Sequence, residues 1–157
     1  MDTVAIVFAP VLAGMTVGAA VGHKATRASY ASVKKPAWSP PPAVFGIVWT
    51  VLYLMMGVAS WRVWITKPTT SKQLDQRSVA LALYAAQLVL NLAWSPIYFS
   101  LGARRAALAL LILLDVLVLI TVAAFARVDV VAAWLLAPYV AWLCVATALN
   151  VAVVWTN

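Results

Sequence analysis

The sequence predicts an all-α integral membrane protein in which five transmembrane helices form one bundle. Of its 157 residues, 66% are hydrophobic and only 10% are charged, and the mean hydropathy of +0.99 lies far above that of a soluble domain. Five apolar stretches are long enough to cross a hydrocarbon core, for which a helix needs about 20 residues. We therefore expect a single membrane domain over residues 1–157, with helices at about 4–22, 43–65, 79–100, 106–126 and 131–155.

The first apolar stretch follows Asp2 and has no basic n-region, so we expect a transmembrane helix rather than a cleaved signal peptide. Gly14, Gly18 and Gly22 follow one another at four-residue steps. Small residues at that spacing let helix backbones approach closely. The pattern suits packing inside the bundle, and it leaves open a homodimer through this helix.

Rigid and aromatic residues mark the lead into the second stretch. Pro40, Pro41 and Pro42 make a stiff extended segment, because proline restrains its own backbone and that of the residue before it. Aromatic and polar residues then recur at spacings of three or four, within an arc of roughly 100°: Phe45, Trp49, Tyr53, Met56, Ser60 and Trp64. This face belongs either to ordinary packing with an interfacial aromatic belt or to a binding site.

The third stretch, "YAAQLVLNLAWSPIYF", places its polar and aromatic residues within an arc of roughly 80°: Tyr84, Gln87, Asn91, Trp94 and Tyr98. An amide in hydrocarbon needs a partner, so Gln87 and Asn91 should face the bundle or a cavity. Whether they hydrogen-bond between helices or contact a ligand stays open. Pro96 should bend or end this helix.

The last two stretches differ in character. The fourth is nearly uniform Ala, Leu and Val except for Asp115, which we expect to be protonated, paired or near an interface, with either a structural or a proton-coupled role. In the fifth, Pro138 should kink the helix, and Tyr139 and Trp142 add rings at depth.

The net charge of +7 does not indicate nucleic-acid binding, because the basic residues sit in the short gaps between apolar stretches, where cations meet lipid headgroups. Six of them fall in the first and third loops: Lys24, Arg27, Lys34, Lys35, Arg104 and Arg105. By the positive-inside rule, the first loop and the C-terminus should face the cytoplasm.

Soluble-enzyme chemistry has no support in the sequence. It contains one cysteine, Cys144, and one histidine, His23, so neither an internal disulfide nor a metal-ligand cluster can be assembled. It has no Ser/His/Asp set and no phosphate-binding glycine loop. We expect no required cofactor, and any chemistry would have to use tryptophan or a bound ligand.

Three ordered motifs resemble a known family. "KPAWSPP" leading into "FGIVWTVLYLMMGVASWRVW", then "YAAQLVLNLAWSPIYF" and "PYVAWLCVATALN", are similar in order and spacing to the TspO/MBR family of tryptophan-rich sensory or translocator proteins, formerly called peripheral benzodiazepine receptors. The resemblance covers essentially the whole chain from "FAPVLAG" onward. It implies a five-helix bundle with a ligand cavity opening toward the first loop.

The resemblance also implies the ligands and the residues that bind them. Family members bind porphyrins such as protoporphyrin IX, and some bind cholesterol and isoquinoline carboxamide or benzodiazepine compounds. The implied pocket comprises Trp49, Tyr53, Asn91, Trp94, Trp142, Ala146 and Leu149, with Tyr30 and Trp38 of the first loop as a lid. Sterol binding is in doubt, because Val151 replaces the tyrosine of the animal sterol motif and no basic residue follows.

The resulting interpretation is a membrane receptor that senses, binds or hands over tetrapyrroles, with the lipid bilayer and a flat hydrophobic ligand as its partners. One alternative is light- and oxygen-dependent porphyrin degradation, for which the resemblance points to Trp49 and Trp142. A transporter or a structural scaffold is a third. The compact chain favours a bacterial inner membrane over a mitochondrial outer membrane.

Overall fold

The computed structural model describes residues 3–22, 26 and 32–156, and every regular element in these ranges is helical. The helices are α1 (Thr3–Val21), α2 (Pro42–Ile65), α3 (Ser71–Ser95), α4 (Arg104–Ala126), α5 (Val130–Leu135) and α6 (Ala137–Thr156). A π-helical turn, Pro96–Ser100, continues α3, and α5 and α6 together form the fifth span. The described residues thus contain five spans long and apolar enough to cross a membrane, which confirms the predicted fold class.

The five spans form a closed ring rather than a row. Around the bundle the order is α1, α2, the fifth span, α4 and α3, with α3 returning to contact α1. Large apolar side chains such as Leu12, Ile47 and Trp134 point outward, as expected where the surrounding solvent is lipid. Met56 and Phe125 are completely buried inside.

The third span begins earlier than the apolar pattern predicts, at Ser71 rather than near residue 79. The added turns are polar, so a search for hydrophobic length misses them. They are held by a cap: the Thr70 hydroxyl accepts a hydrogen bond from the backbone N–H of Gln73 at 3.2 Å, and the Gln73 side chain accepts one from the N–H of Thr69 at 2.8 Å. These reciprocal bonds satisfy backbone donors that the helix start would leave unpaired.

Two prolines interrupt the spans where the sequence predicts. The regular helix α3 ends at Ser95, and Pro96 opens the π-helical turn. In the fifth span the break falls at Leu136, just before Pro138, because proline cannot donate the next helical hydrogen bond. The break changes the packing on one side only. Both segments lie against α4, but α5 also packs against α2, whereas α6 makes no comparable approach to α2 within the described residues.

One end of the bundle is tightly closed. A Cβ added at Gly57 of α2 would overlap the carbonyl oxygen of Val7 in α1, so the two backbones touch here and only glycine fits. At the same end an Arg62 guanidinium nitrogen lies 2.9 Å from a carboxylate oxygen of Asp129. We call this the closed end, and the opposite end, where the first loop enters α2, the open end.

Asp129 has two roles at the closed end. It caps α5 by accepting a hydrogen bond from the backbone N–H of Ala132 at 2.9 Å, and it pairs with Arg62. Partial burial of the carboxyl favours its neutral form, but the Ala132 N–H and the Arg62 guanidinium outweigh that effect and lower the pKa of Asp129. The carboxylate therefore stays charged and ties α2 to the start of the fifth span.

Candidate ligand cavity

A cavity of about 200 Å³ lies inside the open half of the bundle. It is bordered by the second half of α1, the first halves of α2 and α4, the last turns of α3 and the middle of α6. Its lining is mostly apolar and aromatic: Gly14, Val17, Gly18, Phe45, Trp49, Tyr53, Asn91, Leu92, Trp94, Ser95, Leu111, Leu114, Trp142, Leu143 and Ala146. The cavity occupies the space that α6 leaves by diverging from α2.

Aromatic rings bridge α2 and α6 across this space. Phe45 meets Trp142 edge to face, with ring centroids 5.5 Å apart, and Trp49 meets Tyr139 in a similar geometry at 6.2 Å. Trp49 also lies against Tyr53 one turn further along α2, at 5.4 Å. Edge-to-face pairs of this kind contribute about 0.5–1.5 kcal/mol beyond their buried area. The two helices are therefore joined here by side chains rather than by direct backbone packing.

A chain of hydrogen bonds runs behind the aromatic wall and connects three spans. The Tyr53 hydroxyl donates to Oδ1 of Asn91 at 2.7 Å, and Nδ2 of Asn91 donates to the Tyr139 hydroxyl at 2.9 Å. The Tyr139 hydroxyl in turn donates to Oε1 of Gln87 at 3.0 Å. Because every step has a fixed donor, the chain sets the orientation of both amides. Asn91 is both an interhelical partner and part of the cavity wall, whereas Gln87 lies behind the wall.

Two indole N–H groups of the cavity wall lack an acceptor. Nε1 of Trp94 and Nε1 of Trp142 are both buried, and neither has a hydrogen-bond partner among the described residues; Nε1 of Trp61, outside the cavity, is in the same state. Buried polar groups nearly always have a hydrogen-bond partner, so two indole N–H groups without one in the same cavity require an explanation. A ligand that carries acceptor atoms along its edge would provide it.

Two glycines make room for the cavity on the side of α1. A Cβ at Gly14 would overlap the Tyr53 ring, so this glycine lets α1 approach the aromatic wall. A Cβ at Gly18 would meet nothing within 4 Å, although Gly18 lines the cavity. Gly18 is exposed, so it leaves open space at the edge of the cavity.

Asp115 is paired within the bundle. Its Oδ2 accepts a hydrogen bond from the Thr147 hydroxyl of α6 at 2.7 Å, which fits the expectation of a paired carboxyl. Its neighbour Leu114 lines the cavity, but Asp115 does not. No group of three or more His, Cys, Asp or Glu side chains that could hold a metal lies among residues 3–22, 26 and 32–156. The cavity offers rings, one amide and indole donors.

Most of the residues predicted for the pocket meet in this cavity. Trp49, Tyr53, Asn91, Trp94, Trp142 and Ala146 all line it. Gln87 is 1% exposed and sits behind the wall, and Leu149 is half-buried and not on the lining. Trp38, predicted as part of the lid, is 56% exposed and does not reach the cavity. Tyr30, the other predicted lid residue, lies outside the described residues.

The structure adds residues that the sequence did not single out for the pocket. Tyr139 is 1% exposed and links Asn91 to Gln87, although the sequence marked it only as one ring among several in the fifth span. Leu111 and Leu114 supply the wall from α4. Nothing in a run of Ala, Leu and Val distinguishes these two, because the direction in which each one points depends on how the helices pack.

The fold and the cavity define a class, a multi-pass helical membrane protein with an aromatic cavity enclosed by all five spans. The model of the TspO/MBR family matches residues 6–156, nearly the whole chain. The chain therefore belongs to the TspO/MBR family.

Individual relatives agree with this assignment. The chain is 38% identical to the tryptophan-rich protein TspO of Chlorobaculum tepidum over 82% of its own length and 78% of the relative's. It is 39% identical to the tryptophan-rich sensory protein of Cereibacter sphaeroides, over 77% and 72% of the two chains. It is 41% identical to the translocator protein of Homo sapiens, over 87% and 79%. Membership of this family supports a membrane receptor or translocator role.

Proposed function

We propose that this protein is a membrane receptor that binds a tetrapyrrole of the protoporphyrin IX type in the aromatic cavity, for sensing it or handing it on. The observation that carries the proposal is the pair of unpaired indole N–H groups, Trp94 and Trp142, in a cavity otherwise walled by rings. A flat macrocycle can lie against such rings, and its carboxylate or carbonyl oxygens can accept the indole hydrogens. The family resemblance points to the same ligand class.

The size of the cavity adds a requirement. Sites for drug-sized ligands usually measure roughly 300–1,000 Å³, and this cavity measures about 200 Å³. A porphyrin therefore needs the open end to widen. The gap suited to widen is the one between α6 and α2, because within the described residues side-chain rings bridge it, while α5 packs directly against α2 before the Leu136 break.

Two glycine substitutions give a matched test of the site. Gly18→Leu adds a four-carbon side chain at a residue that lines the cavity, while Gly46→Leu adds the same side chain to α2 away from the cavity. Neither new Cβ would meet an atom within 4 Å. Protoporphyrin IX is titrated in the dark into each protein in detergent, with quenching of tryptophan fluorescence as the readout and empty micelles as the blank. We expect Gly18→Leu to weaken binding about tenfold or more by steric overlap, and Gly46→Leu to bind like wild type.

The outcomes separate specific binding from partitioning. Saturable quenching that only Gly18→Leu weakens supports the cavity as the site. Quenching that does not saturate, or that is equal in all three proteins, means that the porphyrin dissolves in the micelle, and the proposal fails.

The placement of Trp49 and Trp142 on one cavity wall favours a second candidate, light- and oxygen-dependent degradation of the bound porphyrin. Rings beside an excited macrocycle could transfer electrons to it. Illumination of the complex distinguishes the two functions. Binding alone leaves the Soret band intact, whereas degradation bleaches it in wild type and not in Trp142→Phe.

We further propose that the open end faces the cytoplasm, since the described basic residues of the first and third loops lie there: Lys34, Lys35, Arg104 and Arg105. A bacterial inner membrane is the membrane we favour. Labelling of single cysteines introduced at Lys34 and at Lys72 in intact cells tests the orientation, because these residues lie at opposite ends of the bundle. Labelling of the Lys34 site rather than the Lys72 site by an impermeant reagent would overturn it.

A further inference from the structure

A second, smaller pocket lies at the closed end, between the turn that joins α2 to α3 and the end of α4. Its volume is about 140 Å³, and it lies at the opposite end of the bundle from the aromatic cavity. Its lining is polar where the cavity is aromatic: Thr66, Lys67, Pro68, Thr69, Gln73, Gln76, Arg127 and Val128. No feature of the proposed tetrapyrrole site involves these residues.

The side chains of this pocket present hydrogen-bond donors. Oε1 of Gln73 accepts two hydrogen bonds from Thr69, from its backbone N–H and its hydroxyl, each at 2.8 Å. A backbone N–H can only donate, so the atom of the Gln73 amide that faces Thr69 must be the oxygen. This fixes the orientation of the amide and leaves the NH₂ group of Gln73 to donate to another acceptor. Lys67 and Arg127 add an ammonium and a guanidinium, which can only donate.

Among residues 3–22, 26 and 32–156, no carboxylate forms an ion pair with Lys67 or Arg127. None of the lining residues is acidic. The nearest acidic residue along the chain, Asp129, is engaged by Arg62 at 2.9 Å and by the Ala132 N–H. Asp75 lies on another face of α3, since at about 100° per residue it points well over 100° away from the direction midway between Gln73 and Gln76. The pocket is therefore a concave surface with positive charge and spare donors.

We infer that this pocket binds a phosphate-type oxyanion, either the phosphodiester of an anionic lipid headgroup or free phosphate. Guanidinium and ammonium groups recognise phosphate oxygens through charge-assisted hydrogen bonds. The volume of about 140 Å³ is large enough to hold a phosphate group. The pocket joins the ends of three spans, the depth at which lipid phosphates meet a membrane protein.

Thermal unfolding of the intact protein tests this site. The protein in a neutral detergent is titrated separately with short-chain phosphatidylglycerol, short-chain phosphatidylcholine and inorganic phosphate, with the midpoint followed by tryptophan fluorescence. The pocket variant is Lys67→Gln/Arg127→Gln. The control, Lys72→Gln/Arg105→Gln, removes the same two charges from exposed positions outside the pocket. We expect the pocket variant to bind the anion about 30-fold more weakly, or about fivefold per cation, and the control to bind like wild type.

Gln76→Glu gives an independent measurement, because it places a carboxylate in the pocket without removing a cation. We expect it to abolish the rise in the midpoint. A rise with phosphatidylglycerol alone identifies the lipid headgroup as the ligand, and a rise with inorganic phosphate alone identifies the free ion. Equal loss in the two double variants, no loss with Gln76→Glu, or an equal response to phosphatidylcholine would overturn the inference.

Discussion

Replacing Tyr139 by phenylalanine tests whether the buried hydrogen-bond chain holds the bundle together. The change keeps the ring and its edge-to-face contact with Trp49, and it removes one hydroxyl. That hydroxyl accepts from Asn91 at 2.9 Å and donates to Gln87 at 3.0 Å, so two hydrogen bonds are lost at a residue that is 1% exposed.

The size of the effect follows from these two bonds. Hydrogen bonds between membrane helices contribute about 0.6 kcal/mol on average and about 1.7 kcal/mol at most, and a buried group left unpaired costs about 1–3 kcal/mol. We therefore expect Tyr139→Phe to lower the free energy of unfolding by about 1–3 kcal/mol.

Unfolding in mixed micelles of a mild detergent and sodium dodecyl sulfate measures this change, with tryptophan fluorescence as the signal. Tyr53→Phe is the matched control, because it removes a single hydrogen bond, to Asn91, beside a cavity where water can replace the hydroxyl. It should cost about 0.6 kcal/mol. If Tyr139→Phe is as stable as wild type, or no less stable than Tyr53→Phe, these hydrogen bonds are not a structural link between spans.

Three further predictions concern the closed end and the cavity wall. Gly57→Ala should lower the free energy of unfolding by about 1–3 kcal/mol in the same assay, because the new Cβ would overlap the Val7 backbone. Gly46→Ala is the control, and with open space around its Cβ it should be neutral or slightly stabilising. Equal effects of the two substitutions would contradict the close approach of α1 and α2. The lowered pKa of Asp129 stabilises the fold above the unfolded carboxyl's pKa of about 4, and this contribution is lost as the pH falls through the folded value. In a series of thermal midpoints from pH 3 to 7, Asp129→Asn, which keeps the cap but not the charge, should therefore lose less stability toward acid than wild type does; parallel curves would refute this. Trp142→Phe keeps a ring but removes the indole N–H, and should weaken porphyrin binding about five- to tenfold in dark titrations; unchanged affinity would mean that this N–H does not meet the ligand.

The sequence predicted the spans well because their signal is hydrophobic length, a local property. The start of α3 shows where that signal ends, since Ser71 and the polar residues after it contribute no hydrophobicity. A capping signal was available there, a threonine at residue 70 followed three residues later by Gln73. Helix starts in polar loops are therefore better predicted from caps than from hydropathy.

The cavity was predictable on the helices that carry rings and amides, and not elsewhere. Helical spacing placed Trp49 and Tyr53 on one face of α2, and Asn91 and Trp94 on one face of α3, and all four line the cavity. Tyr139 differs, because its role depends on distances to Asn91 and Gln87 across three spans. The spacing of residues along one helix gives no information on distances between helices.

The break at Leu136 divides the fifth span into a segment that packs against α2 and a segment that lines the cavity. The segment before it is fastened to α2 beside the Arg62–Asp129 pair, while the segment after it borders the cavity. A substitution in the α6 wall can therefore alter which molecule fits without loosening the fastened half. In a family whose relatives range from bacterial sensory proteins to a human translocator, such a division would let ligand preference diverge while the scaffold stays the same.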